Sequence, residues 1–145
     1  MISDDDRDRW RSVTHRDYES GRFILNEQRE PVVVDLMTWA RWLEKFGNCL
    51  VAQTKIGDLL LSTVFLGIDR SFGRGPQREL FETAILFSHD SDVIERYSNW
   101  DDAAASHEEY ALVLLARDEI AAYDAATIID DLRRVRHARG GTVDR

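Results

Sequence analysis

The sequence predicts an α+β fold: a small antiparallel β-meander packed against one short helix, with a long or broken C-terminal helix. Three observations carry this. Between Cys49 and Phe87 lie three runs rich in β-branched and aromatic residues, separated by glycine-bearing turns. Between Asp35 and Gly47 apolar residues recur every three or four positions. From Asn99 to Arg139 neither glycine nor proline interrupts the chain.

Taken in order, residues 1–21 mix six acids with arginines and hold few apolar anchors beyond Trp10, Val13 and Tyr18, which reads as a flexible or marginally ordered N-terminal arm. Residues 22–145 form one α+β domain, with a C-terminal helical extension from about residue 99. Arg22 to Leu25 is a short strand, and Asn26 to Glu30 turns the chain into Pro31 to Val34. Asp35 offers a side-chain oxygen as N-cap to a helix whose face carries Leu36, Trp39, Leu43 and Phe46, with Gly47 as its stop. Cys49–Lys55 and Leu59–Asp69 form a hairpin about Ile56-Gly57-Asp58, and Glu79–Phe87 adds a third strand. The 36–46 helix is expected to cover that meander, and Trp39, Leu43, Val64, Leu66, Phe81 and Ile85 are expected in its core.

Ser98 or Asn99 caps the last helix, with Asp101 and Asp102 at the positive end of its dipole. A continuous helix of about 40 residues would measure roughly 60 Å, against a diameter on the order of 40 Å for a globule of this length. It must break near Arg117 to Asp124, or extend beyond its own globule. Ala121, Ala125, Ile128, Leu132 and Val135 continue an apolar stripe that suits either a homo-oligomer through this helix or a fold-back that buries the stripe within one chain.

At 145 residues, 43% hydrophobic and 32% charged, the chain has the make-up of a globular domain. Its formal net charge of -8 opposes broad attraction to nucleic-acid phosphates and to anionic membranes. Neither a signal peptide nor an apolar stretch of spanning length is present, which makes the bacterial or phage-infected cytoplasm the expected compartment. The acidic runs at Asp4–Asp8 and Asp90–Glu95 read as solvated faces. Cys49 has no intramolecular partner and reads as a small buried hydrophobe.

The most distinctive segment runs from Ser62 to Pro76 and leads into Leu80-Phe81-Glu82-Thr83. Between Arg70 and Arg78 it gathers three arginines, two glycines and a proline without a single acid, in an otherwise acidic chain. Gly73 and Gly75 permit positive φ and close backbone approach, Arg70 and Arg74 offer planar forks for phosphate or carboxylate oxygens, and Phe72 offers a stacking face. The same residues also suit a plain hairpin closure, with solvated arginines and Phe72 folded onto the core. The spacing fits neither a P-loop nor a dinucleotide-binding turn.

At this segment the chain resembles a group of small proteins of tailed phages and prophages, especially of actinobacteria, for which no activity is established. The shared pattern runs through Ile24-Leu25-Asn26-Glu27, the Trp39–Glu44 helix, the Ser62–Thr83 stretch (STVFLG, an acid, FG-x-GP, then LFET), and Arg96-Tyr97 to His107. The resemblance covers about residues 22–110 and implies a phage-type accessory protein. Arg70 stands where that pattern has histidine, Gln77 where it has a second proline, and Ser106 where it has glycine. A guanidinium does not deprotonate in proteins, so position 70 has no acid–base role here.

Thr63 and Arg96, from the matching stretches, join Asp69, Arg70, Phe72, Gly73, Arg74, Gly75, Glu82 and His107 as the candidate ligand-binding set. Asp69 and Glu82 together also suggest a paired-carboxylate acid–base set. His107 follows Ala103 and Ala104 on a helical face and suits packing as well as ligation. Ser62 and Ser71 lack a nucleophile elbow, and the four histidines form no HxxxH or CxxC pairing, so no catalytic residue, metal or cofactor is assigned. Arg133, Arg134, Arg136 and Arg139 suit a helix C-terminus better than a nucleic-acid surface. The expected partner is a small anionic, nucleotide-like ligand, held without catalysis and thereby kept from host defence. A host protein bound through the acidic surface, or a small acid–base enzyme, are the alternatives.

Overall fold

The computed structural model describes residues 21–87, 90–117 and 125–138; the arm expected over residues 1–21 lies, apart from Gly21, outside the described residues. Among the described residues, two antiparallel sheets and three α-helices form an α+β fold. Strands β1 (Phe23–Leu25) and β2 (Pro31–Val33) make a small hairpin. Helix α1 (Leu36–Leu43) follows, capped by Asp35, whose carboxylate accepts from Thr38 N at 2.8 Å. That N–H donation holds the Asp35 carboxyl below its ordinary pKa. The helix stops earlier than the sequence suggests because the Asn48 side chain donates to Trp42 O at 2.9 Å, and Phe46–Asn48 forms a 3₁₀ turn instead.

The main sheet is a meander of four strands, β3 (Leu50–Ile56), β4 (Leu59–Phe65), β5 (Phe81–Phe87) and β6 (Asp90–Tyr97), in that spatial order. The fourth strand is a correction to the sequence reading, which had given its acids to a solvated face. In β6, Ile94, Glu95 and Tyr97 are buried. A register shift opposite Thr83 and Ala84 places Ile94 as the extra residue, which destroys the alternation by which a strand is read.

The phase of β4 also differs from expectation. Leu59, Leu61, Thr63 and Phe65 are buried, so Val64 falls on the opposite face, in one cross-strand row with Glu82 and Arg96. Of the expected core set, Phe81 and Ile85 are fully buried, whereas Trp39, Leu43, Val64 and Leu66 are half-buried. Cys49 is buried, and burial pushes its thiol pKa up, as suits an inert small hydrophobe.

The sheet is covered chiefly by helix α2 (Trp100–Leu115), and only at one end by α1, whose Trp42 meets Phe65 edge-on at 5.6 Å. Asn99 caps α2 by accepting from Asp102 N at 2.8 Å. Ala103, His107, Tyr110 and Leu114, spaced by three or four, form its buried face. The helical stretch does break: α2 ends at Leu115 and α3 begins at Ala125, running to Ala138.

Helix α3 folds back. Ile128 and Leu132 are fully buried against Leu59, Leu61, Ile94 and Leu114 of the same chain. Arg133 pairs with Asp92 at 3.2 Å, Arg117 with Asp131, and Arg136 donates to Ile94 O at 2.7 Å. Of the apolar stripe, Ile128 and Leu132 are thus buried within one chain, Val135 is half-buried and Ala121 lies outside the described residues, while Arg133 and Arg136 have structural partners.

Candidate ligand-binding loop

The segment between β4 and β5 is a tied loop. Leu66 N donates to Leu80 O at 2.7 Å and Arg70 N to Glu79 O at 2.9 Å, so the two strands continue into a stem. Asp69 sits at the top of the stem, where its Oδ1 accepts from Ser71 N at 2.8 Å and from Glu79 N at 3.0 Å. One carboxylate thus fixes both ends of the segment 71–79. At the base, Gly67 O accepts from Phe23 N at 2.8 Å and from Trp39 Nε1 at 3.0 Å. Gly67 has φ +75°, and a Cβ there would lie 3.0 Å from Trp39 Nε1, so this position is closed to side chains.

Above that frame the backbone turns left-handed three times, at Phe72 (φ +52°), Gly73 (+76°) and Gly75 (+83°). Glycine adopts this region freely; phenylalanine does so at a cost of order 1–3 kcal/mol. Ser71 is buried beneath, and its carbonyl accepts from Arg74 N at 2.9 Å and from Arg74 Nε at 3.1 Å. Phe72 itself is 68% exposed, with the Arg74 guanidinium 5.8 Å from its ring centroid. Arg78 lies over Phe23 at 5.0 Å, and Arg70 is exposed.

The ten candidates therefore fall into three groups. Asp69, Arg70, Phe72, Gly73, Arg74 and Gly75 are together in the loop, Asp69 as its frame and the others at its surface. Glu82 and Arg96 form a cross-strand pair, Arg96 Nε donating at 3.0 Å, with Glu79 a further 4.0 Å contact of the same guanidinium. Glu82 lies on an interior strand and not at a sheet edge, and Asp69 and Glu82 each have partners of their own.

Thr63 and His107 form the third group, on the opposite face and inside the core. His107 Nδ1 lies 2.8 Å from Thr63 Oγ1, and Nε2 lies 2.9 Å from Thr54 Oγ1. Thr63 meets Thr83 at 2.6 Å, and Tyr97 OH donates to Thr83 at 3.0 Å. Both residues are all but inaccessible, so neither reaches a ligand at the loop. Thr54, Thr83 and Tyr97 were absent from the sequence-based set. The only sequence sign of them is that the three threonines sit on strands, and their convergence needs the sheet register.

Among the described residues no group of three or more His, Cys, Asp or Glu side chains is placed to hold a metal ion, and no helix is long and apolar enough to cross a membrane. Comparison with protein-family models, characterised proteins and solved structures yields no significant match, so the loop is interpreted on its own geometry.

Proposed function

We propose that the chain is a non-enzymatic binder, a phage-type accessory protein of the cytoplasm, whose Arg70–Arg78 loop captures a small anionic, nucleotide-like signalling ligand and so blunts host defence. The observation that carries this reading is Phe72. A hairpin closure alone would fold that ring onto the core, yet it is exposed at 68% in a strained backbone conformation on a loop fixed by Asp69. Strain without burial is the pattern of a recognition element. An exposed ring gives a base a face on which to stack, and guanidinia beside it suit phosphate oxygens.

The test is capture. Full-length protein incubated with host nucleotide extract, dialysed and then denatured releases an anionic ligand detectable by mass spectrometry. Arg70→Ala combined with Arg74→Ala abolishes the uptake, while the unfolding free energy stays within about 1 kcal/mol of the parent, as for surface changes generally. Uptake that survives the double substitution reduces the loop to a turn.

A second reading, a protein-interaction module, has one observation in its favour: Val33, Leu36 and Met37 are all exposed at the β2–α1 junction. A host protein recovered from lysate by the parent chain, and lost with Leu36→Ser and Met37→Ser, would favour it.

A further inference from the structure

Strand β3 has one neighbour, β4, so among the described residues its other edge is unpaired. The turn between the two strands decides which groups lie on that edge. Gly57 and Asp58 form a two-residue hairpin, and the pair that flanks them, Ile56 and Leu59, exchanges hydrogen bonds. Bonding alternates from there along the regular register, so Thr54 and Ala52 bond to β4, while the N–H and C=O groups of Gln53 and Lys55 point outward. The opposite edge of the sheet is guarded: β6 carries Asp90, Asp92 and Glu95, is bulged at Ile94, and gives the Ile94 carbonyl to Arg136. On β3 the one charge is Lys55, the irregularity lies at the Leu50 end, and neither an acid nor a proline interrupts the strand.

An exposed apolar strip of α2 lies on the same flank. His107 reaches Thr54 of β3 through Nε2 and Thr63 of β4 through Nδ1, so α2 runs above the line between these strands. From there Tyr110 turns towards Glu95 of β6, and Val113 towards the cluster that holds Ile128 and Leu132. At about 100° per residue, Ala104, Ala111, Leu115 and Leu112 lie on the other side of the helix, facing out past β3. Leu112 is 68% exposed and Leu115 60%.

We propose that this flank is the interface of a homodimer, in which β3 pairs antiparallel with β3 of a second copy and α2 packs against its counterpart. A twofold axis at Thr54 sets Gln53 opposite Lys55 of the second copy, and the outward donors of each chain meet the acceptors of the other. The joined strands lie about 4.8 Å apart. Because α2 sits between β3 and β4, the two helices then stand about 10 Å from each other, a packing distance for helices. One operation thus closes the edge and covers the leucines. An extended peptide would fill the edge and leave Leu112 and Leu115 in water, and a partner helix would cover the leucines and leave the edge unpaired.

The flank is also large enough. Seven strand residues and sixteen helix residues each give it a length of about 24 Å, and strand plus helix give it a depth of about 20 Å. Its footprint, on the order of 500 Å² before side chains interdigitate, is of the scale of a standard interface, roughly 800 Å² of accessible surface per partner. Glu108, also on this flank, sits at its solvent rim, where salt screens the repulsion between two copies. The two Arg70–Arg78 loops stand at opposite ends of the joined sheet, beside Leu50 of each β3, and both stay open.

Sedimentation equilibrium on the ligand-free full chain, with hydrogen exchange read at single amides, tests this. The parent is expected to sediment as a dimer, and its Gln53 and Lys55 amides, which face water in a monomer, to gain protection as concentration rises. Leu112→Glu combined with Leu115→Glu changes only exposed positions, so the far-UV spectrum is expected to match the parent while association weakens by about a hundredfold or more. A parent that is monomeric at its highest soluble concentration overturns the proposal. So does a dimer that survives the double substitution, or one whose Gln53 and Lys55 amides stay unprotected, since either uses another surface. If the double variant does not fold, the amide protection of the parent decides alone. None of these readings involves a ligand, so a failed capture experiment leaves them intact, and the reverse.

Discussion

Phe81→Ala is expected to lower the unfolding free energy by about 3–5 kcal/mol. The ring is fully buried where the sheet meets two helices, with the Phe65 centroid 5.1 Å away and the Trp100 centroid 6.3 Å away. Its strand neighbours Phe65 and Tyr97 are held in register by β4 and β6 and have little freedom to collapse into the space it leaves. The loss therefore includes a cavity as well as transferred surface. Urea unfolding of parent and variant measures it, and a change under about 1 kcal/mol would contradict this packing. Leu43→Ala, at a half-buried site, falls below the same range.

A chain ending at Arg117 is expected to lose cooperative unfolding. It lacks Ile128 and Leu132, each contributing roughly 1.5–3 kcal/mol by burial. It also uncovers Leu59, Leu61, Ile94 and Leu114, which α3 shields in the full chain. The combined loss is a large fraction of the 5–15 kcal/mol that roughly spans ordinary domain stabilities. Leu132→Ala is the milder test, at about 2–5 kcal/mol. Thermal unfolding followed by circular dichroism, with light scattering to detect association, separates the cases. A truncated chain that keeps the full-length midpoint would show that α3 does not support the sheet.

The parts of this fold that were legible from sequence are those set by neighbours along the chain. Asp35 and Asn99 cap their helices through N–H groups three residues on, and the hairpin at Gly57 follows its turn chemistry. Length alone required the last helix either to break or to leave its globule, and the structure shows the break after Leu115. What escaped depends on partners far along the chain. Strand β6 hid behind a bulge at Ile94 and behind Glu95, a buried acid that is tolerated because Tyr110, fifteen residues away, donates to it. In β4 both faces carry apolar residues, so alternation could not say which one faces α2.

The candidate site divides along the same line. The arginines, glycines and Phe72 of the loop were legible because composition marks them. The role of Asp69 was not, since it binds the amide of Glu79 ten residues away. Thr63 and His107 had the right chemistry for a site and lie 44 residues apart, and only the register of β4 under α2 shows that they satisfy each other in the core.

The central claim, that the loop recognises an anionic, nucleotide-like ligand, is tested most directly by amide ¹H–¹⁵N spectra of the full chain titrated with dialysable nucleotide extract. Binding at the loop is expected to shift the amides of Phe72, Gly73, Arg74 and Gly75 saturably, with the Leu61 and Ile85 amides in the core unmoved, and to vanish in Phe72→Ala combined with Arg74→Ala. Saturable shifts elsewhere with an unmoved loop, or no shifts at any ligand concentration, would contradict it.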